Sequence, residues 1–311
     1  MTSLIAFRLG LTLSADRALF ILAGIFAAAI LLSLANTAVG FLPPAWEHNG
    51  ALLGIFTQKN MMGKAAVLGL LTVICVLKHK RVPVAGICVY LAGFFLVKST
   101  LSAGALLTYL CAGLLFPLFA MRKFTVRGRL IFLLLPVVFV VLYLAAFVLT
   151  GGDPLAVFLE ATGKSPTLTG RTIIWWFGIQ SFLEHPLLGV GFKAYWSVKS
   201  YAIAYIHANI EEGLYWFHNI YIDILVAGGL LGAAAAAALL YCFVRQALRW
   251  YLYEGSVVSA AWGMILLVSL IGGLADNVMF TLHGLNHMLI IMGFIFGHRA
   301  LSSKQERSGT A

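Results

Sequence analysis

The chain has 311 residues, 61% hydrophobic and only 10% charged, a composition that no soluble core of this length requires. A formal net charge of +10 suggests a nucleic-acid partner until the basic residues are located, and their clustering in short loops between apolar stretches removes that reading. Cys75, Cys88, Cys111 and Cys242 all fall within apolar segments, so they suggest neither a disulfide framework nor a thiolate metal cage and read as small packing residues.

The N-terminus carries Arg8 ahead of a weakly apolar stretch without a small-residue cleavage site, so the first span is expected to act as its own insertion signal. Apolar stretches approaching or reaching spanning length fall at 18–40, 56–77, 83–98, 101–121, 130–150, 216–243, 256–275 and 285–299. The expected fold is therefore an all-α integral membrane protein with about eight transmembrane helices, since a barrel would alternate in segments of about ten residues. The third and fourth spans meet at Lys98-Ser99-Thr100, a connection short enough to demand a tight hairpin. Three parts follow: N-terminal spans in 1–150, a large outer loop in 151–215, and C-terminal spans with a tail in 216–311.

Lysine and arginine are retained on the cytoplasmic side. Lys78, Lys80 and Arg81 fill one loop, Arg122, Lys123, Arg127 and Arg129 another, and Arg245 and Arg249 a third. Arg8, Arg17, Arg299, Lys304 and Arg307 lie in the tails, and only Asp16, Glu254 and Glu306 of the 11 acids join that face. Both termini are thus expected to be cytoplasmic and 151–215 to lie outside. That outer segment carries Trp175, Trp176, Phe177, Phe182, Phe192, Tyr195, Trp196, Tyr201, Tyr205, Tyr215 and Trp216, the aromatic load of helices lying at a membrane interface. Arg171 to Glu184 reads as one such helix, stopped by His185-Pro186.

The remaining charges collect at the outer level: Lys59, Lys64, Lys98, Arg171, Lys193, Lys199, His218 and His287, with Glu211, Glu212, Asp223 and Asp276. Ionisable groups in or near a membrane are costly and usually functional. Arg171 falls in the first turn of its helix, where a cation opposes the macrodipole by roughly 0.3–1 kcal/mol. A phosphate bound there would reverse the penalty, taking both the helix-start amides and the guanidinium fork. An arginine snorkelling to lipid headgroups has the same signature. His218 opens the sixth span beside Asn219, with Asp223 about 8 Å deeper. It could serve as a general base, or simply be hydrogen-bonded. Lys59-Asn60 and Lys64 enter the second span as point charges suited to phosphate, or as anchors. Gly189-Val190-Gly191 follows no strand and reads as a turn at an interfacial helix end. His283 and His287 stand four apart without a suitably placed acid, which is a structural pattern rather than a zinc site.

Together, Phe56-Thr57-Gln58-Lys59-Asn60, Leu168-Thr169-Gly170-Arg171 with Trp175, Pro186-Leu187-Leu188-Gly189-Val190-Gly191-Phe192 with Trp196, and His218-Asn219 followed by Gly229-Leu230-Leu231-Gly232 resemble the O-antigen ligase and polymerase superfamily. The likeness is greatest to its ExoQ-type exopolysaccharide polymerases and covers about residues 40 to 245. The resemblance implies transfer of a glycan from undecaprenyl diphosphate at the periplasmic face of the bacterial inner membrane, with no cofactor, metal or nucleotide sugar. It implies Arg171 as diphosphate ligand and His218 as activator of the acceptor hydroxyl, the two catalytic residues. Lys59, Lys64 and Lys98 would bind diphosphate beside Arg171, with Asn60, Asn219 and Asp223 in support and Asp223 orienting His218. Members often carry an arginine after a serine where this chain has Lys98-Ser99-Thr100. Implied partners are the lipid-linked oligosaccharide, membrane lipids, and chain-length and export proteins.

Two other readings compete. A ligase of the same family would join a finished glycan to a lipid or protein acceptor. A transporter or scaffold of the export system would not need Arg171 and His218 for chemistry. Transporters show repeats, broken helices and midplane binding groups, and none is expected here.

Overall fold

The computed structural model describes residues 2–42, 44–120, 170–198, 200–210, 213–274 and 284–309. The expected span at 130–150 and residues 151–169 lie outside these, as do Lys199, Glu211, Glu212, Asp276 and His283. The described residues form helices, apart from one isolated bridge between Trp46 and Leu52. In order they are α1 (Thr2–Thr12), α2 (Ala15–Val39), α3 (Lys59–His79), α4 (Pro83–Ser99), α5 (Ala103–Ala120), α6 (Arg171–Glu184), α7 (Ala194–Ser197), α8 (Tyr201–Asn209), α9 (Ile220–Glu254), α10 (Val257–Gly272) and α11 (Leu285–Gly309). Among them α2, α3 and α9 are long and apolar enough to cross a bilayer. With shorter apolar helices around them, they make this an integral membrane protein. The chain divides into two compact units, 1–122 with 240–311, and 123–239.

In the first unit α3 is the central helix, packed on α2, α4, α5 and α10. More than half of its most apolar window is buried, against a third for α2. Small residues permit this closeness, since a side chain at Gly63 would strike Ala105 and one at Gly69 would strike Phe26. The expected hairpin is present: α4 ends at Ser99, the Thr100 and Leu101 amides turn back onto Val97 and Lys98, and α5 follows.

Two polar residues on apolar α2 explain the order of the next loop. Ser33 and Asn36 are fully buried, where an unpaired polar group is costly. Asn36 donates to the Gly54 carbonyl at 2.8 Å and accepts from the Leu42 amide at 2.9 Å, while Ser33 accepts from the Ile55 amide at 3.2 Å. Leu42 and residues 44–55 are thereby folded back over the end of α2.

Helix α1, absent from the sequence expectation, runs beside α11 in the same direction. Ser3 Oγ meets His287 Nε2 at 3.0 Å, and Arg299 donates to the Gly10 and Leu13 carbonyls at 2.8 and 2.6 Å. Residue 3 is thus level with His287, and the corner at 13–15 is level with Arg299.

The second unit is built on Ile174, Trp196, Ile203, Ile206, Leu214, Phe217 and Val226. Helix α6 has the bounds expected from sequence, and the His185 amide closes its last turn. Helix α9 differs in three ways. It starts at Ile220 instead of 216, because His218 takes a left-handed φ of 51° and Asn219 Oδ1 caps the Tyr221 and Ile222 amides. It continues to Glu254, so Arg245 and Arg249 lie on a helix and not in a loop. Gly255, with φ 56°, ends it.

The third difference corrects the expectation that no helix is broken. Gly229 has φ 58° and ψ −155°, which interrupts α9. The break frees backbone groups on both sides, and the 186–191 loop takes them up. Val190 and Gly191 amides donate to the Val226 and Ala227 carbonyls at 2.8 and 2.9 Å, and Leu230 and Leu231 amides donate to the Pro186 and Leu187 carbonyls at 2.8 and 3.2 Å. An unpaired backbone group away from water costs several kcal/mol by order of magnitude, so a break needs such a partner. The Gly189-Val190-Gly191 turn is therefore more than a helix end: it is the other half of this clasp.

Candidate functional site

The sequence-derived residues fall into one group per unit. In the first, Lys59 opens α3 and pairs with Glu47 at 3.0 Å. That bond is the leading cause holding the Glu47 carboxyl below its ordinary range. Asn60 Oδ1 accepts from Ser102 Oγ at 2.9 Å, which ties the start of α3 to the α4–α5 turn. Lys98 is exposed in the last turn of α4, just before Ser99, whose carbonyl takes the Leu52 amide at 2.8 Å. Lys59, Asn60 and Lys98 therefore share one end of this unit. Lys64 lies half-buried further along α3.

In the second unit Arg171 stands at the first position of α6, after Gly170 with φ 85°. One turn on, the Trp175 indole donates to the Phe217 carbonyl at 2.8 Å, next to His218. The Phe217 amide donates to Asp223 Oδ1 at 3.2 Å. Both polar backbone groups of Phe217 are thus held, one by α6 and one by α9, and this fixes the backbone that delivers His218. His218 and Asn219 are each 8% exposed. The Trp216 indole nitrogen donates to His218 Nδ1 at 3.0 Å, its ring edge-on to the imidazole at 5.5 Å.

This geometry brings His218, Asn219 and Asp223 together at the entry to α9, and ties that entry through Trp175 to α6, which Arg171 opens. It gives Asp223 a backbone role at Phe217 that the sequence did not suggest. Trp175 and Trp216 had read only as part of a motif and as interfacial aromatics; their indole nitrogens organise the site. Glu47 had no sequence signal at all, standing twelve positions from Lys59 in an irregular loop. Tyr195 packs on Phe217 with ring centroids 5.0 Å apart, its hydroxyl buried without a hydrogen-bond partner among the described residues. Burial, and then Glu184, push it up to about 12, so it stays protonated. Among the described residues no cluster of three or more His, Cys, Asp or Glu could hold a metal ion.

Residues 87–237 match the family described as O-antigen ligase. The chain is also 32% identical over 192 residues to the exopolysaccharide production protein ExoQ of Rhizobium meliloti (strain 1021), covering 58% of this chain and 43% of that protein. It thus spans less than half the length of that relative. The first is the O-antigen ligase family that the motifs resemble, and the second is the ExoQ likeness that they suggested. Lys98, Arg171, His218, Asn219 and Asp223 lie inside the matched segment, and Lys59, Asn60 and Lys64 precede it.

Proposed function

Taking as premise that this chain carries the O-antigen ligase segment and is ExoQ-like, we propose that it is a membrane glycosyltransferase that polymerises undecaprenyl-diphosphate-linked oligosaccharide repeat units into exopolysaccharide or O-antigen. The transfer takes place at the periplasmic face of the bacterial inner membrane, in a chain of about eight spans with the basic loops cytoplasmic. It is an inverting displacement at the anomeric carbon, independent of metal. The observation that carries this reading is the junction in the second unit, where Trp175, one turn from Arg171, is bonded to the residue beside a buried His218.

Negative charge develops on the departing diphosphate, and fixed cations and donors stabilise it without reorganising. Arg171 is the diphosphate ligand, its planar fork suited to two phosphate oxygens at once. His218 works at the reacting oxygens. Lys59, Lys64 and Lys98 are further phosphate-binding cations; Asn60 ties the start of α3 to Ser102, and Asn219 and Asp223 hold the backbone around His218. The family's description as ligase favours a second reading, transfer of the glycan to a lipid or protein acceptor. Chain-length and export proteins are the partners this function calls for.

The test is reconstitution of the purified chain in lipid with its lipid-diphosphate-linked repeat unit and a chelator, the products resolved on a gel. A ladder that disappears in Arg171→Ala and His218→Ala, with both variants still in the membrane, supports polymerase. A single addition to a lipid acceptor supports ligase. Full activity in either variant overturns the site assignment, and substrate left intact by the wild type overturns the enzyme.

A further inference from the structure

An indole nitrogen donates and never accepts, whereas each imidazole nitrogen does one or the other according to the tautomer. The Trp216 Nε1–H directed at His218 Nδ1 over 3.0 Å therefore requires a lone pair on Nδ1. A neutral ring with its lone pair on Nδ1 carries its proton on Nε2. An imidazolium would set two N–H groups against each other across that contact. The arrangement is held from outside the pair: the Phe217 amide and carbonyl are taken by Asp223 and Trp175, and Asn219 caps α9. His218 itself is in the left-handed region at φ 51°, which costs a non-glycine residue roughly 1–2 kcal/mol. Strain of this kind persists where surrounding contacts over-determine it, and such sites are often functional.

We infer that Trp216 is a positioning residue that holds His218 neutral with its proton on Nε2, so that His218 serves the transfer as a hydrogen-bond donor and not as the base. The inference rests on the glycosyl-transfer reading above and replaces the general-base role expected from sequence. In the transfer the acceptor oxygen bonds to the anomeric carbon while the bond from that carbon to the phosphate oxygen breaks. The electron pair leaves with the lipid diphosphate. The acceptor's hydroxyl, attacking from the face opposite the diphosphate, gives up its proton to water, while the new negative charge collects on the diphosphate. Nε2–H donates to the departing oxygen and keeps its proton throughout, a donor aimed at developing charge.

The experiment uses the full chain in lipid nanodiscs with ¹⁵N-labelled histidine. The His218 signal is assigned by its loss in His218→Gln, and the polymerisation ladder is run on the same preparations. The wild type is expected to show His218 protonated on Nε2 alone, and Trp216→Phe to show both neutral tautomers or the charged ring. A glutamine amide can donate but cannot serve as a base. His218→Gln should therefore keep activity within about tenfold of wild type, while His218→Ala loses roughly 10²-fold or more, the size found when a single transition-state donor is removed.

A wild-type ring protonated on Nδ1, or on both nitrogens, overturns the inference. An unchanged tautomer in Trp216→Phe removes Trp216 from the role. His218→Gln as inactive as His218→Ala, with the other histidine signals in place, restores the base. An inactive wild type showing the Nε2–H tautomer sinks the glycosyl-transfer reading and with it the donor role, but leaves the Trp216 assignment standing.

Discussion

Gly228 and Gly229 are adjacent in sequence and on the same helix, and replacing them with alanine should have opposite effects. A Cβ on Gly228 meets nothing within 4 Å, and the residue is helical. Gly228→Ala should therefore be neutral or stabilising, by up to about 1 kcal/mol from helix propensity. A Cβ on Gly229 falls 2.4 Å from the Leu187 carbonyl carbon and 2.5 Å from its oxygen, both backbone atoms that cannot rotate away. Its φ of 58° adds strain of roughly 1–3 kcal/mol for any side chain. Relieving the clash means moving the loop off the helix, which breaks the four amide–carbonyl bonds of the clasp. At about 1 kcal/mol net for each, and more where water cannot replace them, Gly229→Ala should lose about 5 kcal/mol. That is a large share of the 5–15 kcal/mol typical of a whole domain, estimated to order of magnitude. The assay is thermal unfolding of the detergent-solubilised proteins, with limited proteolysis at 186–191 as a local readout. A Gly229→Ala protein that melts with the wild type and resists cleavage equally would refute the clasp.

Glu47→Gln releases Lys59 from its ion pair. If Lys59 binds phosphate, the apparent KM for the lipid-linked substrate should fall roughly two- to fivefold, the equivalent of a partly exposed pair worth at most about 1 kcal/mol. An unchanged KM would make Lys59 an anchor. Because the Glu47 carboxyl titrates below its ordinary range, the pair's small contribution to stability is present above that range and fades as pH falls through the depressed value. The acid-side slope of a melting series should therefore shrink in Glu47→Gln. Tyr195→Phe removes a buried hydroxyl that lacks a partner and should raise the melting temperature slightly, by about 1 kcal/mol in stability. A stabilised protein with weaker polymerisation would mean the hydroxyl serves a sugar. Arg299→Ala strips two carbonyls at the end of α1 of their donor and should cost about 1 kcal/mol. Earlier proteolysis between α1 and α2 would report it, and an unchanged digestion pattern would remove Arg299 from that role.

Much of the candidate site was visible in the residues. Arg171 stands at the start of α6 as its position after Gly170 implied, whereas His218, expected inside a span opening at 216, lies just before α9. The indole contacts were not visible: Trp175 reaches a carbonyl 42 positions away, and neither that separation nor the direction of an N–H follows from composition or period. The same holds for Glu47 and Lys59, which are joined by a loop whose path depends on Ser33 and Asn36.

The sequence by itself determined that this is a helical membrane protein, where several apolar helices run, where α6 starts and stops, and that α4 and α5 form a hairpin. Each of these follows from apolar length, from His185-Pro186 or from a connection too short for anything else, all local properties of the chain. Only the tertiary structure decided that α9 is broken, that the 186–191 loop seals the break, and which nitrogen of His218 faces an indole. Every residue offers nearly the same backbone amide and carbonyl. Their pairing is therefore written not in residue type but in which distant segments come within 3 Å of each other.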